Sequence, residues 1–193
     1  MRRIVLSITA LVMLLAAMPV LAKDCNKPCA WLKPGVELTY GLNMGYDFIA
    51  TVKEMGKDLV FGFAMTNTMK TAGTVTIKEE ALKTATAQNN YFSNGELTLA
   101  DKTTVWVSKK VYDALKKAEA VTIRPSDEDE VLKFVKAEKL TVSKDGKPFE
   151  VPTLYGETDK GHKFWILDNA ENPLIIKMVI NFEINLKEIK SAK

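Results

Sequence analysis

The sequence predicts a mostly β protein of the α+β class: a strongly curved antiparallel sheet with two or three short helices on its concave face. Three observations carry that expectation. Apolar residues occupy every even position from Leu174 to Leu186, while Lys177, Asn181, Glu183 and Asn185 fall between them, so this run reads as one strand with a wet and a dry face. At about 3.3 Å per residue it spans roughly 40 Å, long enough to bend at the back of a curved sheet. The same alternation recurs in residues 36–44, 46–52 and 59–65, joined by connections too short for a crossover helix. Finally, clear helix-start patterns occur at only two places, Thr76 and Ser108.

The first 22 residues read as an export signal. Arg2 and Arg3 precede an apolar run from Ile4 to Ala17, and Val20-Leu21-Ala22 supplies a signal peptidase site, so cleavage is expected after Ala22. The apolar run is short for a span of ~20 residues, and no transmembrane segment is expected after cleavage. Without the signal, Lys plus Arg falls from 27 to 25 against 24 Asp plus Glu, and the net charge falls from +3 to near +1. A nearly neutral chain lacking a basic cluster interleaved with aromatics argues against a nucleic-acid partner. Export also predicts an oxidising compartment, periplasmic or extracellular, in which Cys25 and Cys29 form a disulfide. Residues 23–35 are then a stapled N-terminal segment, and residues 36–193 a single domain.

In chain order, Trp31-Leu32-Lys33-Pro34-Gly35 turns into a strand carrying Val36, Leu38, Tyr40, Leu42 and Met44. Gly45 breaks it. Tyr46, Phe48 and Val52 form the next dry face, Met55-Gly56-Lys57-Asp58 a hairpin turn, and Leu59, Phe61, Phe63 and Met65 the third. After a strand over about 71–76, Thr76 and Glu79 fit a capping box, followed by a helix with Ile77, Ala81, Leu82 and Ala85 on one face. Asn89-Asn90 and Ser93-Asn94-Gly95 end it. Val105-Trp106-Val107 reads as a strand, and Ser108 caps a second helix over 109–118 whose apolar stripe is Val111, Tyr112, Leu115 and Ala118.

Val121 and Ile123 give a short strand, and Ser126 to Glu130 read as a solvated acidic turn without calcium-ligand spacing. Residues 131–142 fit a strand better than a helix. Asp145-Gly146 is a hairpin signal that sends the chain back through Phe149 and Val151 toward Tyr155. A turn at Asp159-Lys160-Gly161 and a strand at 164–167 lead through Asp168 to Pro173 into the final strand.

Chemistry-bearing patterns are sparse. His162 is the only histidine, and nothing beside it suggests a nucleophile or a second base. Metal-ligand spacing, a phosphate loop and a dinucleotide fingerprint are all missing, so neither a metal nor a cofactor is expected. Arg124, the sole arginine after cleavage, reads as a surface ion pair in preference to a lid lock or a contact for an anionic headgroup. The positive feature is the dry face. A curved sheet covered by only two short helices can enclose an apolar cavity, whose candidate lining is Tyr40, Phe48, Phe61, Phe63, Met178, Ile180 and Phe182.

Trp31-Leu32-Lys33-Pro34-Gly35, Phe164-Trp165-Ile166-Leu167-Asp168-Asn169 and Asn172-Pro173-Leu174-Ile175-Ile176-Lys177 are similar to segments of uncharacterised bacterial envelope proteins. Their shape resembles the LolA-like half-barrels, incomplete antiparallel barrels closed by helices, among which are carriers of lipoproteins and lipids. The resemblance implies a periplasmic, non-enzymatic carrier for a lipid, an acylated molecule or a lipoprotein. The alternatives are an envelope assembly factor that binds a protein partner over a filled core and, third, a hydrolase without a recognisable site.

Overall fold

A computed structural model describes residues 30–192. The expected export signal and both cysteines lie outside the described residues. Strands β1 (Glu37–Leu42), β2 (Asp47–Met55), β3 (Leu59–Met65) and β4 (Ala72–Ile77) follow one another as antiparallel neighbours. Helix α1 (Glu79–Thr84) and the short β5 (Ala87–Gln88) then carry the chain to β6 (Gly95–Leu99), which lies parallel to β4. The strand β7 (Lys102–Thr103) pairs with β5 in a small second sheet. Helix α2 (Lys109–Lys116) precedes β8 (Val121–Ile123), β9 (Glu130–Lys144), β10 (Lys147–Thr158), β11 (Lys163–Leu167), β12 (Ile175–Val179) and β13 (Glu183–Lys190).

Eleven strands form one large curved sheet in the order β6-β4-β3-β2-β1-β13-β12-β11-β10-β9-β8. Its pairings are antiparallel except β4 with β6 and a short contact of β13 with β9 at Glu188–Ser143 and Ile189–Lys144. That second contact makes β13 a neighbour of β1, β12 and β9 at once, so the sheet folds back on itself. The mostly β, curved antiparallel expectation holds at this level, with two helices among the described residues.

The predicted final strand is corrected. Residues 174–186 form the hairpin β12–β13, with Met178 opposite Ile184 and Val179 opposite Glu183, and the Ile180 N–H donates to Phe182 O across the turn (2.8 Å). A three-residue loop pairs positions of equal parity, so even residues stay on one face through the reversal. The longest strands are β9 and β10, joined by Asp145-Gly146 with φ of +51° and +77°, the geometry of a two-residue hairpin turn.

The capping box at Thr76 is also corrected, because Thr76 and Ile77 belong to β4 and the residue before α1 is Lys78. Asp58, in the turn between β2 and β3, caps the helix instead: its Oδ1 accepts the Glu79 backbone N–H at 3.0 Å and its Oδ2 takes Lys78 Nζ at 2.5 Å. Ser108 does cap α2, its Oγ accepting the Val111 N–H at 3.3 Å. Val105-Trp106-Val107 forms a single bridge, Trp106 to Leu174, and no strand.

Two adjoining apolar clusters fill the interior. One gathers the inward residues of β1–β4 with Ala81, Ala85, Trp106, Val142, Val151 and Ile189. The other seats α2, through Val111, Tyr112 and Leu115, on Leu132, Leu154, Phe164, Ile166 and Ile175. Asp168 ties that helix down, its carboxylate accepting from Tyr112 Oη at 2.8 Å and Lys116 Nζ at 2.9 Å.

Candidate functional site

A cavity of about 350 Å³ lies between the sheet and the segments that cross it. Alternation on the strands sets one wall: Tyr40 and Leu42 of β1, Phe48 of β2, Met65 of β3, Met178 of β12 and Ile184 of β13. The β12–β13 turn adds Ile180 and Phe182. The facing wall comes from chain outside the large sheet, Gln88 to Phe92, Thr104, Val105, Ser126 and Asp127. Met44 and Tyr91 line the same space and remain 55% and 79% exposed, an apolar pairing that marks the mouth.

Five of the seven residues named from the sequence, Tyr40, Phe48, Met178, Ile180 and Phe182, therefore meet around one cavity. Phe61 and Phe63 do not line it. Phe61 is fully buried against Trp106, ring centroids 5.5 Å apart, and Phe63 stacks on Phe48 at 6.0 Å with an 11° interplanar angle. Both share a face of β3 with the cavity-lining Met65 but lie two and four residues further along the strand, where side chains fill the interior.

Phe92 was not among the sequence candidates. It packs against the edge of the stacked pair Phe48 (4.9 Å) and Phe63 (5.0 Å) and pins the crossing segment onto the sheet. The aromatic pair Tyr91-Phe92 inside a polar asparagine-rich stretch was the available sign, masked because that stretch reads as a helix terminator.

Tyr40 is buried, and its hydroxyl donates to Ile175 O at 2.8 Å, locking β1 to β12 at the cavity floor. Burial holds its phenol well above the usual range, so it stays neutral. Val105 has φ of +62°. For a β-branched residue this left-handed conformation costs roughly 1–2 kcal/mol. It is held there by its carbonyl, which accepts the Ile175 N–H at 2.7 Å. Such outliers collect where a site needs a particular wall.

Other candidates resolve differently. Arg124 Nε pairs with Asp129 Oδ1 at 2.8 Å, both half exposed, as the sequence suggested. Glu130 leaves the acidic turn: it is 2% exposed in β9, and its carboxylate meets His162 Nδ1 at 2.8 and 2.9 Å. His162 is thus tied to a structural carboxylate away from the cavity. Among the described residues no three of His, Cys, Asp and Glu gather to hold a metal, and no helix is long and apolar enough to cross a membrane. Comparison with protein families, curated proteins and solved structures finds no match.

Proposed function

We propose that this chain is an exported, non-enzymatic binding protein whose curved sheet acts as a half-barrel and holds the apolar chain of a lipid or acylated molecule in the cavity beneath Tyr91. One observation carries the reading. Aromatic, aliphatic and methionine side chains from five strands converge on an open space instead of filling it, and Met44 and Tyr91 stay exposed at its entrance. Methionine suits such a wall, because its unbranched thioether adapts to chains of different shape. The space sits at the low end of the ~300–1,000 Å³ found for small-molecule sites. A periplasmic or extracellular location follows from the N-terminal 22 residues under the same reading.

Solvent extraction of the protein purified from its exporting host, followed by mass spectrometry, tests this together with binding of a fluorescent hydrocarbon reporter. The expected result is a retained apolar molecule and a saturable reporter signal that Met178→Trp, by filling the floor, weakens at least about tenfold. Absence of both retained molecule and reporter binding would discard the proposal.

A further inference from the structure

The facing wall of the cavity says what the other end of the ligand must be. Gln88, Asn89 and Asn90 all line it, and each commits its amide nitrogen to the protein: Gln88 Nε2 donates to Trp106 O at 3.4 Å and Thr103 Oγ1 at 3.0 Å, Asn89 Nδ2 to Tyr91 O at 2.8 Å, and Asn90 Nδ2 to Pro125 O at 2.6 Å. A backbone carbonyl can only accept, so these partners fix which way each carboxamide is turned. The atom left over is the oxygen in every case. No described residue donates to any of the three oxygens. None is sealed off either, since among the described residues the buried side-chain polar atom without a partner is Trp106 Nε1.

We infer that the ligand is a single-chain amphiphile whose head donates hydrogen bonds, an alcohol or an amine, and not a carboxylate or phosphate ester. The inference rests on the apolar-chain reading above. Three acceptor oxygens on a wall that also carries the Thr104 and Ser126 hydroxyls reward a donor. A carboxylate there sets lone pair against lone pair and loses water without replacement. Charge does not reverse this, because Lys102, the cation among the described lining residues, is exposed and shares the rim with exposed Asp127. The volume points to one chain: about 350 Å³ is small for the several chains of a lipoprotein anchor.

Displacement of the fluorescent reporter by four dodecyl probes decides the matter: 1-dodecylglycerol, dodecylamine, dodecanoate and dodecyl phosphate. The glycerol ether and the amine are expected to bind about tenfold or more tighter than the two anions, the size of one or two unmade hydrogen bonds. In Asn89→Ala/Asn90→Ala the preference among the four probes, each read against the variant's own reporter affinity, should narrow. Anions binding as tightly as the donors in the unaltered protein would overturn the headgroup assignment and leave the apolar cavity standing. Failure of all four to displace the reporter would overturn the chain-binding reading and the headgroup assignment together.

Discussion

Tyr155 of β10 and Trp165 of β11 stand directly opposite one another, their rings stacked at 4.6 Å and 24° from parallel. The row continues on both sides, with Lys136 of β9 5.9 Å from the Tyr155 ring and Lys177 of β12 5.4 Å from the Trp165 ring. Each aromatic also spends its polar end: Trp165 Nε1 donates to Glu138 Oε1 at 2.8 Å and Tyr155 Oη to Glu157 Oε2 at 2.7 Å. Four adjacent strands are thereby cross-linked on one face, where their order is set. A double-mutant cycle of Tyr155→Ala and Trp165→Ala should show a coupling of about 0.5–1.5 kcal/mol beyond lost area. Additive effects would mean that the stack is incidental.

The same tyrosine makes stability depend on alkaline pH. Burial first, and the Glu157 carboxylate second, push its phenol up to about 12. The folded state therefore holds the proton more tightly than the unfolded chain, whose phenol titrates near ~10. The contribution is complete below about pH 10 and is lost as pH rises toward about 12. Thermal melts across that window should fall more steeply in the unaltered protein than in Tyr155→Phe, and ultraviolet titration should show one fewer late-ionising phenol in the variant, which keeps that of Tyr40.

Asp58 makes the opposite kind of prediction at acid pH. The Lys78 ammonium first, and the Glu79 backbone N–H next, hold its carboxyl below the usual range. Its help to α1 is present above the ordinary carboxylate pKa of ~3.9 and disappears as pH falls through the lowered value. Asp58→Ala should lower Tm by a few degrees and speed amide exchange in α1. Asp58→Asn keeps an acceptor for Glu79 and should retain most of the helix protection while removing the acid dependence. Equal exchange in all three proteins would show that α1 does not depend on this cap.

How much of this was legible depended on distance along the chain. Short-range signals worked: Ser108 caps three residues away, and Asp145-Gly146 turns within itself. What failed was long-range. Asp58 caps a helix 21 residues on, and no local pattern at Thr76 could reveal that the threonine was still in β4. Glu130 looked like the end of a solvated acidic run until His162, 32 residues later, gave its carboxylate a buried partner. The β12–β13 reversal hid for a different reason: an odd-length loop preserves the period of two, so alternation alone cannot tell one strand from two. For the cavity, strand parity placed Tyr40, Phe48 and Met178 on the right face. It could not say where along that face the open space ends, which is why Phe61 and Phe63, further along β3 than Met65, were grouped with them.

The Glu130–His162 pair supplies a prediction about folding rather than catalysis. His162 also donates its backbone N–H to Thr158 Oγ1 at 3.0 Å, so the β10–β11 turn is held to β9 through one residue. His162→Ala leaves a buried carboxylate without that partner, at a cost of about 1–3 kcal/mol or more for a charged acceptor. Reporter binding by the folded fraction should be unchanged, because neither residue lines the cavity. A variant as stable as the parent would mean that Glu130 finds another donor. One that is stable but no longer binds the reporter would link His162 to the site after all.

Gly73 tests how the cavity's facing wall is held. It pairs with Phe63 on one side and with Gly95, at the start of the parallel strand β6, on the other. A Cβ at position 73 would lie 2.0 Å from Gly95 O and 2.8 Å from Phe63 Cε1. The oxygen is backbone, so β6 itself must move to admit even alanine. Just before β6, Asn94 Oδ1 accepts the Ala72 N–H at 2.9 Å, and two residues earlier Phe92 is wedged against Phe48 and Phe63. Gly73→Ala should therefore cost about 1–3 kcal/mol through overpacking, loosen residues 88–94, and weaken reporter binding more than its global destabilisation explains. Hydrogen exchange should rise in β6 and in the Asn89–Phe92 segment while β9 and β10 remain protected. If β6 exchanges as before and binding is intact, the Gly73–Gly95 approach is not what fixes the wall, and Phe92 alone must be holding the carboxamides in place.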